Sequence, residues 1–121
     1  MAYLAGLIIY NQMVVDQDDL LFGALADSTR RDIFRRAQEG RLSVSALARE
    51  YPISVTAVQK HVAVLERAEL VSKERVGRET IVRARSEGLR RAHAALDRLE
   101  TEWLGRIERI DRVLDDDKGD L

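Results

Sequence analysis

The chain contains no cysteine, and this absence excludes disulfide bonds, thiolate metal sites and a thiol nucleophile. Aromatic residues make up only 5% of the 121 residues, so a core must be built mainly from leucine, valine, isoleucine and alanine. The longest apolar run, Leu7 to Tyr10, is far too short to cross a bilayer. No lysine or arginine precedes it, as one would in a signal peptide. These absences predict a single soluble, cytoplasmic domain.

The net charge of −1 conceals a strong asymmetry along the chain. Residues 1–27 have four acids and no lysine or arginine, residues 28–85 have 13 basic and 7 acidic residues, and residues 86–121 have 7 basic and 10 acidic residues. A basic middle between acidic ends is typical of a nucleic-acid-binding segment. A solvated surface explains the charges equally well, since 17 of the 20 basic residues are arginine. Charge alone leaves both interpretations open.

Two helices are predicted around the boundary between the acidic N-terminal segment and the basic segment. Apolar residues follow helical spacing over residues 19–26. Asp27 or Ser28 offers an N-cap for the next helix, and Gly40 stands in the usual C-terminal glycine position. The buried stripe of this second helix is predicted to be Ile33, Phe34 and Ala37.

A helix-turn-helix is predicted next. Ser43 or Ser45 opens a short helix, which must stop before Pro52 because proline disfavours helix in the residue before it. Ser54 is a suitable N-cap for another helix, in which valine and leucine recur at intervals of three or four. The residues predicted to face inward are Val55, Val58, Val62 and Leu65. Two short helices joined by a brief turn form a helix-turn-helix.

The hydrophobic period changes after Leu70. Side chains alternate in character over residues 71–75, Gly77 interrupts the pattern, and residues 80–84 are rich in β-branched side chains. This pattern predicts a β-hairpin with its tip at Val76–Glu79. A charged hairpin directly after a helix-turn-helix is the winged-helix arrangement. The predicted fold class is therefore mainly α with a small β-hairpin.

A long helix with one apolar seam is predicted at the end of the chain. Apolar residues recur there every three or four positions. So small a core leaves the seam uncovered unless another helix meets it. A two-fold dimer assisted by the N-terminal helix covers it most simply, and a clasp over residues 1–26 of the same chain is the alternative. The predicted interface comprises Leu20, Leu89, Leu96, Leu99, Trp103, Ile107 and Ile110.

These elements divide the chain into four parts. They are an N-terminal extension at residues 1–18, a winged helix-turn-helix at 19–86, a dimerisation helix at 87–115 in the same domain, and an acidic tail at 116–121. The extension is either an added packing segment or the product of a start codon assigned upstream of Met13.

Three short motifs follow one another in the middle of the chain. Residues 24–31 read ALADSTRR, residues 54–61 read SVTAVQKH, and residues 64–71 read VLERAELV. In this order they resemble segments of the ArsR-type winged-helix repressors, which read ALADPTRR, SxxAVSKH and VLxxAGLV. Ser28 replaces the usual proline, Glu69 the usual glycine, and Val82 an aromatic residue often found in the second wing strand. The cysteines of metal-sensing members are absent, so the chain resembles the non-metal-sensing branch.

The resemblance implies that the helix from Ser54 to Arg67 enters the major groove of DNA. Gln59 can then read adenine, and Lys60 can reach guanine or a phosphate. His61 either touches phosphate or is a partly buried structural histidine. The other candidates suit phosphate, a thymine methyl group or the minor groove. The expected DNA contacts are Ser54, Thr56, Ala57, Gln59, Lys60, His61, Lys73, Arg75 and Arg78.

These expectations predict a homodimeric transcriptional repressor that binds a palindromic operator in double-stranded DNA without a cofactor. A sensor of the same fold that releases DNA on binding a small molecule is the alternative. A protein-interaction module without specific DNA binding is disfavoured by the basic middle segment. His93 and Asp97 have the i, i+4 spacing of a metal pair, but with two histidines in the chain a structural role is favoured. No acid/base pair, triad or phosphate loop is recognisable, so an enzyme is not expected.

Overall fold

Five helices and a three-stranded sheet make up residues 17–119, the part of the chain that the computed structural model describes, with side chains to residue 116. The interpretation of residues 1–16 as part of an extension lies outside these residues. The elements are α1 at residues 17–26, α2 at Ser28–Ala37, β1 at Leu42–Ser43, α3 at Val44–Ala48, α4 at Val55–Arg67, β2 at Val71–Val76, β3 at Glu79–Ala84 and α5 at Ser86–Gly119.

Side-chain caps begin three of the helices. Asp27 accepts a hydrogen bond from the N–H of Arg30 at the start of α2. Ser43 accepts from the N–H of Ala46 at 3.0 Å at the start of α3, and Ser54 accepts from the N–H of Ala57 at the start of α4. Each cap satisfies an amide that the first helical turn leaves without a partner. The structure thus selects Asp27 over Ser28, and Ser43 over Ser45, from the predicted alternatives.

The β2–β3 hairpin has its predicted tip, with Val76 opposite Glu79 and a two-residue loop between them. Gly77 is first in that loop and has φ +62, a conformation that favours glycine. A third strand was not predicted: β1 pairs antiparallel with the outer side of β3, giving the order β1-β3-β2. Two residues are too few to show the alternation that marks a strand in sequence.

The core is a cluster of aliphatic side chains at the junction of α2, α3, α4 and the sheet. α1 adds Leu21 and Ala24, while α5 adds only Ala92 to this cluster. The fully buried residues at its centre are Ile33, Leu47, Val58, Val62, Leu65, Leu70, Val71 and Val82. The prediction that Val55 faces inward is wrong, since it is 50% exposed. It is the first residue of α4, one turn before Val58, where the helix projects past the core.

Two predicted helix ends are also wrong. α2 ends at Ala37, and i→i+3 bonds from Gln38 to Arg35 and from Glu39 to Arg36 close its last turn before Gly40 is reached. α5 continues through the predicted acidic tail to Gly119 because no proline or glycine interrupts residues 106–118. Among the described helices, none is both long enough and apolar enough to cross a membrane.

Candidate nucleic-acid interface

The N-terminal half of α4 presents a polar face to solvent. Thr56, Gln59 and Lys60 are exposed, and Ala57 is partly exposed between them. The opposite face of the same helix is anchored by fully buried valines and a leucine. This anchoring fixes the direction in which the polar side chains project. The predicted reading residues of α4 therefore lie together on one accessible surface.

The first turn of α4 carries the groups that favour an anion. Its N–H groups lie at the positive end of the helix dipole. The Ser54 side-chain oxygen accepts from the N–H of Ala57 at 3.1 Å, which leaves the hydroxyl proton available as a donor. Val55 lies exposed beside it and is a candidate contact that sequence reasoning missed. An apolar side chain there is suited to a thymine methyl group.

His61 lies one turn further along α4 and faces the α1–α2 junction. Its Nδ1 atom is 3.3 Å from Nη1 of Arg30 and 3.8 Å from Oδ2 of Asp27. Arg30 in turn donates to the carbonyls of Gly23 and Ala24, at the last turn of α1. These contacts favour the structural interpretation of His61, while a phosphate contact stays a prediction.

The hairpin carries the three predicted basic side chains, all exposed but differently engaged. Lys73 Nζ lies 3.4 Å from Glu66 of α4, so an intramolecular ion pair competes for it. Arg75 donates from Nε to the carbonyl of Gly77 at 3.2 Å, which holds its guanidinium at the tip. Arg78 makes no ion pair with any other described residue and is fully available to an anion.

A hydrogen-bonded network fastens α2 to the turn between α3 and α4. The Tyr51 hydroxyl donates to Oδ2 of Asp32 at 2.5 Å, and Arg36 donates to the same oxygen at 2.9 Å while lying over the Tyr51 ring. These bonds, that from Tyr51 foremost, hold the pKa of Asp32 below its usual value. Burial and the Asp32 carboxylate raise the pKa of Tyr51 to about 12. Only the i, i+4 spacing of Asp32 and Arg36 signalled this network in the sequence.

The predicted dimer residues form an exposed apolar strip on α5, continued by Leu20 of α1. Leu20 and Leu89 are each 38% exposed, and Trp103 is 61% exposed. Leu96, Leu99 and Ile110 lie between these values, and Ile107 is partly exposed. Within the described residues this strip stays largely exposed, which is typical of a protein-interaction surface.

The predicted structural pair His93 and Asp97 is exposed on α5. Within residues described by the structure, no group of three or more histidine, aspartate or glutamate side chains is arranged to hold a metal ion. The expectation of no metal response stays a prediction.

Comparisons with known proteins agree with this architecture. Residues 25–74 match the sequence model of a family described as a helix-turn-helix domain. The HTH-type transcriptional regulator Rv2034 of Mycobacterium tuberculosis is 39% identical over 99 residues, covering 81% of this chain and 92% of that protein. The structure of an ArsR-like transcriptional regulator from Rhodococcus sp. RHA1 is 31% identical with a TM-score of 0.76, and 84% of this chain and 94% of that chain are covered.

The chain belongs to the ArsR-type family of transcriptional regulators. The predicted family and fold class are confirmed, and α3 and α4 are the helix-turn-helix of a DNA-binding regulator. The homodimeric winged helix-turn-helix DNA-binding domain of Mb0332 from Mycobacterium bovis, a possible ArsR-family regulator, is 24% identical with a TM-score of 0.58. The similarity covers 74% of this chain and 83% of that chain and shows the shared fold.

Proposed function

We propose that this ArsR-type regulator is a homodimeric repressor that binds a palindromic operator, with α4 in the major groove and the hairpin against the flanking backbone. The exposed polar face of α4, held by a fully buried opposite face, carries this proposal. An α-helix fits the major groove, and its N-terminal residues come nearest the base edges.

Two side chains of α4 suit base recognition. The amide of Gln59 offers a donor and an acceptor that match adenine, and the Lys60 ammonium suits the acceptors of guanine or a phosphate. Thr56 and Ser54 lie where the helix N-terminus favours phosphate. Contacts to the DNA phosphate backbone thus set the position of the helix, and contacts to the base edges set the sequence preference.

The hairpin supplies contacts that are independent of sequence. Arg78 is the strongest candidate because no described carboxylate competes for it. Lys73 must leave Glu66 to contact DNA, and Arg75 must leave the Gly77 carbonyl. We therefore expect Arg78 to contribute more to DNA affinity than its two neighbours.

Dimerisation is supported by the exposed apolar strip of α5. Two-fold symmetry brings two copies of α4 into successive major grooves about 34 Å apart, which is the geometry that a palindromic operator requires. The homodimeric M. bovis protein shares this fold.

Binding to DNA from upstream of the protein's own gene, followed by fluorescence anisotropy, tests the proposal. Gln59→Ala should cost about 1–3 kcal/mol at one base position and relax specificity there. Arg78→Ala should weaken binding to all sequences alike and reduce the slope of log K against log salt by about 1. Arg112→Ala on distal α5 is the matched arginine control and should change neither quantity. If Gln59→Ala and Arg78→Ala both bind like the parent, the wrong surface has been assigned to DNA.

A small-molecule sensor of the same fold is the second candidate, because two clefts border the predicted interface. One, of about 430 Å³, lies between α2, the end of β3 and α5, where Phe34 and Leu89 meet Arg85. Another of the same volume lies between α1 and α4, beside Leu20 and Arg30. A volume of this size lies within the range of small-molecule sites. Repeating the binding measurement with cell extract as a ligand source tests this candidate, since a sensor would release DNA.

A further inference from the structure

Val55 is an exposed apolar residue at the end of α4 that the proposed function places nearest the base edges. It is the first residue of the helix and is 50% exposed, whereas Val58 and Val62 on the same helix are fully buried. With 3.6 residues per turn, its side chain lies within about 40° of that of Gln59 on the helix surface. An apolar side chain therefore stands beside the amide that we assign to base recognition.

Packing among the described residues does not account for a valine at this position. Val55 belongs neither to the core cluster nor to the partly buried side chains packed against it. Ile53, which is also exposed, stands just before the Ser54 cap, the position from which a side chain packs onto the fourth helical residue, here Val58. Such a hydrophobic staple gives Ile53 a structural role that the first helical residue lacks. Helix propensity does not favour valine either, since it ranks below alanine and leucine.

We propose that Val55 reads the 5-methyl group of a thymine in each half of the operator. This inference rests on the placement of α4 in the major groove proposed above, and it names a base that the operator must contain. The 5-methyl group of thymine projects into the major groove, and the other three bases do not carry it. A half-exposed valine gains free energy by burying its apolar surface against this methyl group.

The geometry of α4 also locates this thymine relative to the base read by Gln59. Four residues of a helix span about 6 Å, and successive base pairs lie about 3.4 Å apart. We therefore expect the thymine within two base pairs of the adenine contacted by Gln59. Ala57 also suits a methyl group, but it shares its helix face with His61, which faces the α1–α2 junction. Val55 is thus the better placed of the two apolar residues.

Replacing single thymines by deoxyuridine tests the proposal, because deoxyuridine lacks only the 5-methyl group. Fluorescence anisotropy with the upstream DNA should identify one thymine per half-site at which the replacement weakens parent binding about fourfold, and about fifteenfold when both halves are replaced. Val55→Ser should bind the thymine operator about fifteenfold more weakly than the parent does. This variant should bind the thymine and deoxyuridine operators within about twofold of each other. Val113→Ser, at a valine that is 60% exposed on distal α5, is the matched control and should keep the full deoxyuridine penalty.

The outcomes separate reading by Val55 from the placement of α4. An equal deoxyuridine penalty in the parent and in Val55→Ser would assign the methyl contact to another residue and overturn the proposal. The absence of a penalty at every thymine would also overturn it, and this measurement on the parent does not depend on the folding of a variant. If Gln59→Ala still relaxes specificity in either case, α4 remains in the major groove. A parent protein that binds none of this DNA would overturn both the reading by Val55 and the proposed function.

Discussion

A Cβ atom on Gly88 would lie 2.5 Å from the carbonyl oxygen of Ala68, so the first turn of α5 rests on the end of α4 in a way that only glycine permits. The Gly88 N–H donates to the carbonyl of Glu69 at 3.0 Å, and Arg85 donates to Leu70 at 2.8 Å. The helix that we assign to DNA and the helix that we assign to the dimer are thus joined by backbone contacts.

Gly88→Ala should lower the free energy of unfolding by about 1–3 kcal/mol, because the clash is with backbone atoms that cannot move aside. Gly105→Ala is the matched control within the same helix, since nothing lies within 4 Å of its Cβ position. It should raise the free energy of unfolding by up to about 1 kcal/mol through helix propensity. Urea denaturation measures both. Two variants that shift in the same direction would contradict the packing argument.

Glu69 occupies the position that favours glycine after a helix. Its φ is +59, its N–H donates to Glu66, and Leu70 donates to Leu65, which is the Schellman pattern of helix termination. Glu69→Gly should therefore be more stable than Glu69→Ala by about 1 kcal/mol. Both variants lose the ion pair to Arg91, so their difference in unfolding free energy reports the backbone alone. Equal unfolding free energies of Glu69→Gly and Glu69→Ala would show that the positive φ at residue 69 causes no backbone strain.

Tyr51→Phe should lower the free energy of unfolding by about 1–2 kcal/mol at neutral pH, because it removes the hydrogen bond to Asp32. Because the pKa of Asp32 is lowered in the folded protein, its carboxylate contributes fully to the free energy of unfolding above pH 3.8, the pKa of the unfolded state. This contribution is lost as the pH falls below 3.8. The pKa of Tyr51 is raised from 10.0 to about 12. The neutral hydroxyl therefore contributes fully to the free energy of unfolding below pH 10, and this contribution is lost between pH 10 and 12.

The difference between the parent and Tyr51→Phe should therefore be flat from about pH 4 to 10 and shrink at both ends. Urea denaturation across this range measures it. Glu50→Gln removes the other carboxylate near Arg36, an exposed ion pair at 3.6 Å, and should change stability by less than about 0.5 kcal/mol. A difference that continues unchanged to pH 12 would mean that the bond to Asp32 does not perturb Tyr51.

The sequence predicted those elements whose signals are local. Ser43 and Ser54 cap their helices because an N-cap acts within three residues, and Gly77 marks the hairpin tip for a similar reason. The exposure of Val55 could not be predicted, since helical periodicity gives the direction of a side chain and not the extent of the core. Helix propensity alone disfavours a glycine at position 88. The presence of glycine there is explained by the carbonyl of Ala68, which leaves no room for a Cβ atom.

In the candidate site, Thr56, Gln59 and Lys60 could be predicted from the sequence to be accessible, but competition for Lys73 and His61 could not. The Glu66 carboxylate engages Lys73, and Asp27 and Arg30 engage His61. The contacts of His61 join residues far apart in the chain, and the contact of Lys73 with Glu66 joins a strand to the preceding helix. They leave Arg78 and Gln59 as the more informative positions for mutation.

Leu99→Glu should abolish dimerisation and operator binding together. A carboxylate in the exposed apolar strip of α5 would lose its hydration in both copies of the dimer, at a cost of several kcal/mol. Thr101→Glu is the matched control, because residue 101 is exposed on the opposite side of the helix. Sedimentation velocity and anisotropy measure the two properties. A Leu99→Glu variant that still sediments as a dimer would place the interface elsewhere.

Zinc should leave operator binding unchanged at low micromolar concentration. The chain has no thiolate, and His93 with Asp97 would have to meet a second copy of the pair to reach four ligands. Titration of zinc into the protein–DNA complex measures this, with EDTA added back as the control for reversibility. Release of DNA at stoichiometric zinc would assign a sensory role to His93 and Asp97.

Among residues 17–119, the strand order β1-β3-β2 places no strand beside the outer edge of β2, so within these residues the backbone N–H and C=O groups of that edge are open to a strand from another molecule. Three consecutive charges, Lys73, Glu74 and Arg75, occupy the exposed middle of this edge. Charged side chains on an open edge oppose intermolecular strand pairing and aggregation. Lys73 and Arg75, which we propose as DNA contacts, would therefore also oppose the pairing of this edge with a strand of another molecule.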